Sequence, residues 1–241
     1  MKNKTPDFAY HMTKFFTEYL PIQRNLSPNS IATYRDTFRL LLLFYDTEKH
    51  IKPNLLTLDM LNVQQIEDFM LWLKKERNCG ASTCNQRLGA LKSFFRYLQF
   101  ALPDCAMQCQ ENLAIRPMKQ PEPGLKYLTI DGIKLLLEQP DIKTKYGRRD
   151  LAILSLMYDT GARVQEIADI KIVHIRFSAP ATIRITGKGD KTRVVPLLSR
   201  TEDILKQYIK DFKIDAGGND AYLFQNRSGQ QLSRFGISYI L

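Results

Sequence analysis

Apolar residues recur at spacings of three and four throughout the first hundred residues, and this pattern predicts a helical domain. The first helical stretch spans residues 8–20. A second follows Ser27-Pro28, where serine is a preferred N-cap and proline suits the first helical position. A third helix is predicted over 63–76, and a fourth begins near Ser82 or Thr83, either of which can cap it.

These four helices define a predicted first domain, residues 1–106. A proline-rich segment with little periodicity follows, and we interpret residues 107–124 as a linker. The second predicted domain, 125–241, begins with a helix capped by Thr129 and continues with an apolar helix broken at Gly161. A β-hairpin, an amphipathic helix, a short strand and the start of another helix follow. The predicted fold class is mainly α, with two domains, the second an α+β domain with a small antiparallel β-hairpin sheet.

The formal net charge is +10, which suggests a polyanionic partner. Charge alone leaves DNA, RNA and an acidic membrane open. The sequence has neither a run of about 18 apolar residues nor a basic amphipathic helix, so we expect a cytoplasmic protein without membrane attachment.

Polar and basic side chains near the start of the second and fourth helices favour DNA among these partners. Helix starts with such side chains suit phosphates and base edges, although a solvated helix face is the simpler alternative. The predicted DNA-contacting residues are Asn29, Thr33 and Arg35 in one helix and Asn85, Gln86, Arg87 and Lys92 in the other.

The four cysteines are Cys79, Cys84, Cys105 and Cys109, spaced C-x4-C and C-x3-C. Closed zinc sites favour tighter pairs, and no histidine lies close by in the sequence. We therefore expect reduced structural thiols and no metal site.

Two short motifs in the second domain carry candidate chemistry. In "TGARVQEI", Arg163 follows a glycine turn at the start of a new helix, and Glu166, one helical turn later, can orient the arginine side chain. An ordinary surface ion pair between Arg163 and Glu166 is the alternative. In "TIRITGKGDKTRVVPL", a turn with two glycines and two lysines joins two strands. The nucleotide-binding pattern G-x4-G-K-[ST] is absent there, which argues against a nucleotide, and an ordinary hairpin with solvated lysines remains open.

Together these segments resemble the tyrosine recombinases, the phage integrase family. The resemblance is carried by "RDLAILSLMYDTGARVQEIADIKIVHI" followed by "IRITGKGDKTRVVPL". "LSPNSIATYRDTFRLLLLFY" and "STCNQRLGALKSFFRYL" correspond to the helices of the family's amino-terminal core-binding (SAM-like) domain, which packs against DNA. The resemblance implies that the second domain is catalytic.

The resemblance also implies a reaction: site-specific cutting and rejoining of double-stranded DNA through a 3′-phosphotyrosine, with no cofactor, metal or nucleotide. Arg163 would neutralise charge on the scissile phosphate, and Lys188 would protonate the leaving 5′-oxygen. Lys191 and Arg193 would contact the DNA backbone. The full-length family is expected to act as a homotetramer on paired DNA sites.

The sequence departs from the family pattern after the hairpin. No H-x-x-R segment follows it, and the last tyrosine, Tyr239, precedes the position of that segment, so we interpret it as a core helix residue. His174 stands where the family often has aspartate, and we interpret it as a structural substitution. The catalytic domain is thus predicted to be incomplete, either as a piece of a longer recombinase or as a shortened gene product, and to bind DNA without cleaving it. A non-enzymatic DNA-binding regulator derived from an integrase is the alternative.

Overall fold

The computed structural model describes residues 7–120, 124, 127–187, 189–214, 218 and 220–241. The chain divides into two compact units, Met1–Gly124 (unit 1) and Leu125–Leu241 (unit 2). In the described residues, no helix is both long and apolar enough to span a membrane.

Unit 1 is helical, and its helix starts follow the capping residues in the sequence. The Ser27 hydroxyl accepts a hydrogen bond from the Ser30 amide at 3.3 Å, which confirms the predicted cap. The fourth helix begins earlier than predicted, because Gly80 is its N-cap, and Ser82 and Thr83 lie in its first turn. The helices are α1 (Phe8–Lys14), a π-helix that continues it (Phe15–Gln23), α2 (Pro28–Glu48), α3 (Val63–Lys75), α4 (Ala81–Ala101) and α5 (Ala106–Ala114).

A cluster of phenylalanine rings holds unit 1 together. Phe8, Phe15, Phe38 and Phe94 are all at most 1% exposed. Phe94 meets Phe15 and Phe38 edge-on, with ring centroids 5.1 and 5.2 Å apart. Because these residues come from three segments of the sequence, their burial fixes the π-helix, α2 and α4 against one another.

The interpretation of 107–124 as linker is wrong for the first part of that segment, which belongs to α5. Asn112 is fully buried and its side-chain amide donates to the Leu61 carbonyl at 2.9 Å. Gln108 donates similarly to the Leu58 carbonyl at 2.8 Å. The helix is therefore held by amide side chains on backbone carbonyls, which hydrophobic periodicity does not report.

Unit 2 is an α+β unit, as predicted. Thr129 caps its first helix by accepting from the Gly132 amide at 3.1 Å. Gly161, with φ of +58°, ends the second helix in the left-handed conformation that favours glycine. The elements are α6 (Ile130–Glu138), α7 (Lys145–Thr160), α8 (Val164–Ala168), β1 (Ile175–Arg176), β2 (Thr182–Thr186), β3 (Thr192–Pro196), α9 (Ser199–Phe212) and α10 (Arg234–Ile240).

The three strands form an antiparallel sheet in the order β1-β2-β3. The β2–β3 register pairs Ile183 with Val195 and Ile185 with Arg193. Because side chains alternate along a strand, Ile183 and Ile185 enter the core while Arg184 stands on the opposite, outer face. The sheet therefore has one buried and one open face.

The final segment differs in part from its prediction. In place of the short strand, the described residues form isolated bridges, Lys171 with Tyr222 and Gln225 with Gln231. Leu223 and Phe224 are buried in the core of unit 2, and α10 follows. Tyr239 lies on α10 as predicted but is 93% exposed, so its interpretation as a core residue is wrong.

Candidate active site

The turn between α7 and α8 presents Arg163. The Gly161 amide donates to the Met157 carbonyl at 2.9 Å, and the Thr160 hydroxyl accepts from the Ala162 amide at 3.2 Å. These bonds end α7 and direct the chain into α8, whose N-cap is Arg163. Its side chain is 74% exposed, so most of the guanidinium is open to a ligand.

Glu166 holds Arg163 from one side. Its carboxylate accepts from Arg163 twice, at 2.8 Å from the guanidinium and at 3.1 Å from the backbone amide. The position of the arginine is therefore fixed at both its backbone and its side chain. An arginine fixed in this way keeps N–H groups free for two oxygens of one phosphate.

Glu166 also binds Arg193 on β3, with 2.7 Å between the guanidinium and the carboxylate. The carboxylate is 5% exposed. The hydrogen bond from Arg193 is the largest cause that lowers the pKa of Glu166, burial opposes it, and the Arg163 backbone and side chain lower it further, to about 2. Glu166 is thus ionised at neutral pH and links α8 to the hairpin.

Gly187 brings the hairpin tip against the same carboxylate. A Cβ at this position would lie 2.5 Å from a carboxylate oxygen of Glu166, so the close approach requires glycine. The Gly187 amide donates to the Lys191 carbonyl at 2.9 Å, which closes the hairpin. Lys188, the predicted acid, lies outside the described residues.

The two other predicted hairpin contacts have different surroundings. Lys191 is exposed. Arg193 is 38% exposed and directed at Glu166, so its guanidinium serves the internal ion pair. Sequence patterns carry no signal for this pair, because Arg193 and Glu166 are 27 residues apart.

The predicted DNA-contacting residues of α2 remain mostly accessible. Asn29 and Arg35 are exposed. Thr33 is half-buried, and its hydroxyl donates to the Asn29 carbonyl at 3.0 Å. The start of α2 therefore leaves one amide and one guanidinium side chain open to a ligand.

The predicted residues of α4 are mostly engaged within unit 1. Asn85 bonds both the carbonyl and the amide of Met118, at 2.8 and 2.7 Å. The Lys92 ammonium donates to the Ile115 carbonyl at 2.6 Å, and burial lowers its pKa. These two side chains hold the segment after α5 on α4.

The two other predicted residues of α4 have contrasting environments. Arg87 pairs with Asp36 of α2 at 3.4 Å, whereas Gln86 is exposed. Of the four α4 residues, Gln86 is therefore the one whose side chain is left open for a partner in the described part of unit 1.

His174 and the four cysteines lie outside the Arg163–Glu166–Arg193 cluster. The His174 imidazole accepts from the Lys171 amide at 3.2 Å, across the short 3-10 helix that leads to β1. The four cysteines, all of them described residues, form no disulfide, and Cys84 and Cys109 are buried.

Comparison with known proteins gives matches over both units. The Phage integrase family matches residues 126–241, and the Phage integrase N-terminal SAM-like domain matches residues 14–100. The integrase/recombinase named y4rC of Sinorhizobium fredii is 34% identical over 99% of this chain and 71% of its own length. Tyrosine recombinase XerD of Listeria innocua is 32% identical over 94% of this chain and 74% of its own length.

Solved structures give a fold match as well. A crystal structure of a lambda integrase dimer bound to a COC′ core site matches 96% of this chain and 75% of its own, with a TM-score of 0.65 and 15% identity. At that identity the likeness concerns the fold alone. It agrees with a helical SAM-like domain followed by an α+β domain with a small sheet.

Proposed function

The chain belongs to the phage integrase family of tyrosine recombinases. We propose that it binds duplex DNA and holds part of the site that activates the scissile phosphate in DNA recombination. The observation that carries the proposal is the Glu166 carboxylate, which binds Arg163 and Arg193 at once and lies against Gly187. Through it, an exposed arginine and the tip of a lysine-bearing hairpin are held at one place.

Arg163 is proposed to bind the scissile phosphate. During attack by a tyrosine, negative charge increases on the non-bridging phosphate oxygens, and a fixed guanidinium stabilises that charge. Glu166 is proposed as a positioning residue, because it contacts Arg163 and leaves the phosphate-facing side of the guanidinium open.

Lys188 is proposed as the general acid. The bond from phosphorus to the tyrosine oxygen forms as the bond to the 5′-oxygen breaks, and the lysine proton converts that oxygen into a 5′-hydroxyl. The support is its place between Gly187 and Gly189 in the family motif, together with the contact of Gly187 with Glu166.

In unit 1, Asn29, Arg35 and Gln86 are proposed as the direct DNA contacts, since their side chains are exposed. Asn85 and Lys92 would act indirectly, by fixing the segment that packs on α4. Homotetramer assembly on paired sites is proposed for the full-length protein, with the mass of the protein–DNA complex in sedimentation as its test.

DNA binding without cleavage is the proposed activity of these 241 residues, because no H-x-x-R segment follows the hairpin. A labelled duplex is expected to bind, with an affinity that falls as salt rises. A nicked suicide substrate, which traps covalent intermediates, is expected to give no protein–DNA adduct. An adduct would contradict the proposed lack of a nucleophile, and an absence of any binding would contradict the proposed function itself.

The roles of the two cations are tested in a longer form of the protein that carries a nucleophilic tyrosine. Arg163→Ala should abolish cleavage while most DNA binding remains, and Arg200→Ala, which removes an exposed arginine of α9, is the matched control. Lys188→Ala should regain cleavage on a substrate with a 5′-thiol leaving group, which needs no acid. Unchanged cleavage by the first variant, or no rescue of the second, would refute the respective role.

A further inference from the structure

The outer face of the three-stranded sheet carries positive charge that is not neutralised within the described part of unit 2. Arg176 on β1 and Arg184 on β2 are both exposed, and neither side chain has a hydrogen-bonding or ion-pair partner among those residues. The inward-facing Arg193 differs, because Glu166 neutralises it. Among the described residues, the arginine on the inner face of the sheet is therefore ion-paired and the two on the outer face are not.

The sequence around these arginines supplies no acidic residue to offset their charge. The twenty residues between Asp169 and Asp190 contain neither Asp nor Glu. Asp220 is directed at Lys171, with 3.2 Å between carboxylate and ammonium. Burial lowers the pKa of His174, and the neighbouring charges of Arg184 and Lys171 lower it further.

The same face forms a shallow cavity of about 290 Å³. Arg176, Arg184, Thr182 and His174 contribute its polar groups, and Val194 contributes to its apolar part. Towards the hairpin tip the face continues with the hydroxyls of Thr186 and Thr192, which lie 3.0 Å apart. Guanidinium and hydroxyl groups are donors that phosphate oxygens accept.

The spacing of the two arginines suits a nucleic-acid strand. Arg176 lies opposite Thr182, and Arg184 is two residues further along β2, so the arginines are diagonal neighbours. Such neighbours lie about 7–8 Å apart at their Cα atoms. Each phosphate of a DNA strand carries one negative charge, so two guanidinium groups at neighbouring positions can bind phosphates of the same strand.

We propose that the outer sheet face, through Arg176 and Arg184, binds the phosphate backbone of the DNA whose scissile phosphate the hairpin tip addresses. The inference rests on the proposed function and extends it, because it adds a contact surface outside the Arg163 site. DNA is favoured over an acidic protein since the face is continuous with the hairpin.

The first test measures DNA affinity of the full chain as a function of salt, by fluorescence anisotropy with a labelled duplex. Each arginine–phosphate contact contributes about 0.9 to the slope of log K against log salt, so the double variant Arg176→Ala/Arg184→Ala should lower the slope by about 2. The corresponding loss of affinity at 0.1 M salt is about 60-fold if both contacts are fully formed. The control Arg200→Ala/Lys210→Ala removes equal charge from exposed positions on α9 and should change binding much less.

A second variant keeps both arginines. Val194 is 64% exposed and directly opposite Arg184, so Val194→Glu places a carboxylate beside that guanidinium. Val194→Glu should weaken DNA binding at least as much as Arg184→Ala does. The control Leu135→Glu, which adds the same charge at an exposed position of α6, should weaken it less. Wild-type affinity and slope in both sheet variants, or an equal loss in the charge-matched controls, would overturn the inference while the proposed function stands. A wild-type chain that binds no DNA would overturn both.

Discussion

The ionised Glu166 bridge should stabilise unit 2 in a pH-dependent way, and Glu166→Gln tests this directly. The variant keeps the shape of the side chain but removes the charge that Arg163 and Arg193 share. The lowering of the Glu166 pKa from 4.5 to about 2 corresponds to about 3 kcal/mol at neutral pH. Because Arg163 is mostly exposed and glutamine still accepts hydrogen bonds, we expect a loss of about 2–3 kcal/mol.

The sign of the pH dependence follows from the direction of the pKa change. A carboxylate whose pKa is lower in the folded state contributes its full stabilisation above its unfolded pKa and loses it as pH falls towards 2. The difference between wild type and Glu166→Gln should therefore be constant from pH 7 to about 5. It should fall to roughly half near pH 3.3.

The assay uses urea unfolding with two probes. The single tryptophan, Trp72, lies in α3 of unit 1, so its fluorescence reports that unit, whereas far-UV circular dichroism reports both units. Glu166→Gln should shift the dichroism transition of unit 2 and leave the Trp72 transition unchanged. Glu202→Gln removes one partner of the Glu202–Lys206 pair, whose lysine is half exposed, and should cost at most about 0.5 kcal/mol.

Two results would refute the reasoning. One is a stability of Glu166→Gln within about 0.5 kcal/mol of wild type at pH 7, which would mean that the bridge contributes no more than a surface pair. The other is a difference that stays constant down to pH 2.5, which would mean that ionisation of Glu166 is not its source.

Three further predictions concern single contacts. Gly187→Ala forces a Cβ against Glu166 and should destabilise unit 2 by about 1–3 kcal/mol by the dichroism transition; an unchanged midpoint would contradict the close approach. Asn85→Ala removes both bonds to Met118 and should speed amide exchange at Met118 about tenfold, whereas unchanged exchange with weaker DNA binding would instead support a direct DNA contact. Ser27→Ala removes the α2 cap and should cost about 1 kcal/mol in the Trp72 transition; a cost below about 0.3 kcal/mol would show that water replaces the cap.

Local patterns in the sequence were enough to predict most elements. The caps at Ser27 and Thr129, the break at Gly161 and the β2–β3 hairpin were all confirmed, because each depends on neighbouring residues whose conformational preferences are strong. Family membership was also predictable, since the arginine turn and the hairpin occur in a fixed order along the chain.

The tertiary structure decided which polar side chains are free. Asn85 and Lys92 bond backbone carbonyls of a distant segment, and Arg193 bonds Glu166 across 27 residues. Helix α5 is likewise held by amide side chains on carbonyls of residues 58 and 61.

Periodicity identifies the buried face of an element because burial of apolar area repeats with the helix or strand period. A buried polar group can instead bond to any donor or acceptor that the fold brings close. A backbone partner can belong to a residue of any type, so the sequence does not reveal which one it is. The sequence alone therefore determined most of the helices, the hairpin and the family. Only the fold determined that Arg193 supports the site from within while Arg176 and Arg184 remain open on the outer face of the sheet.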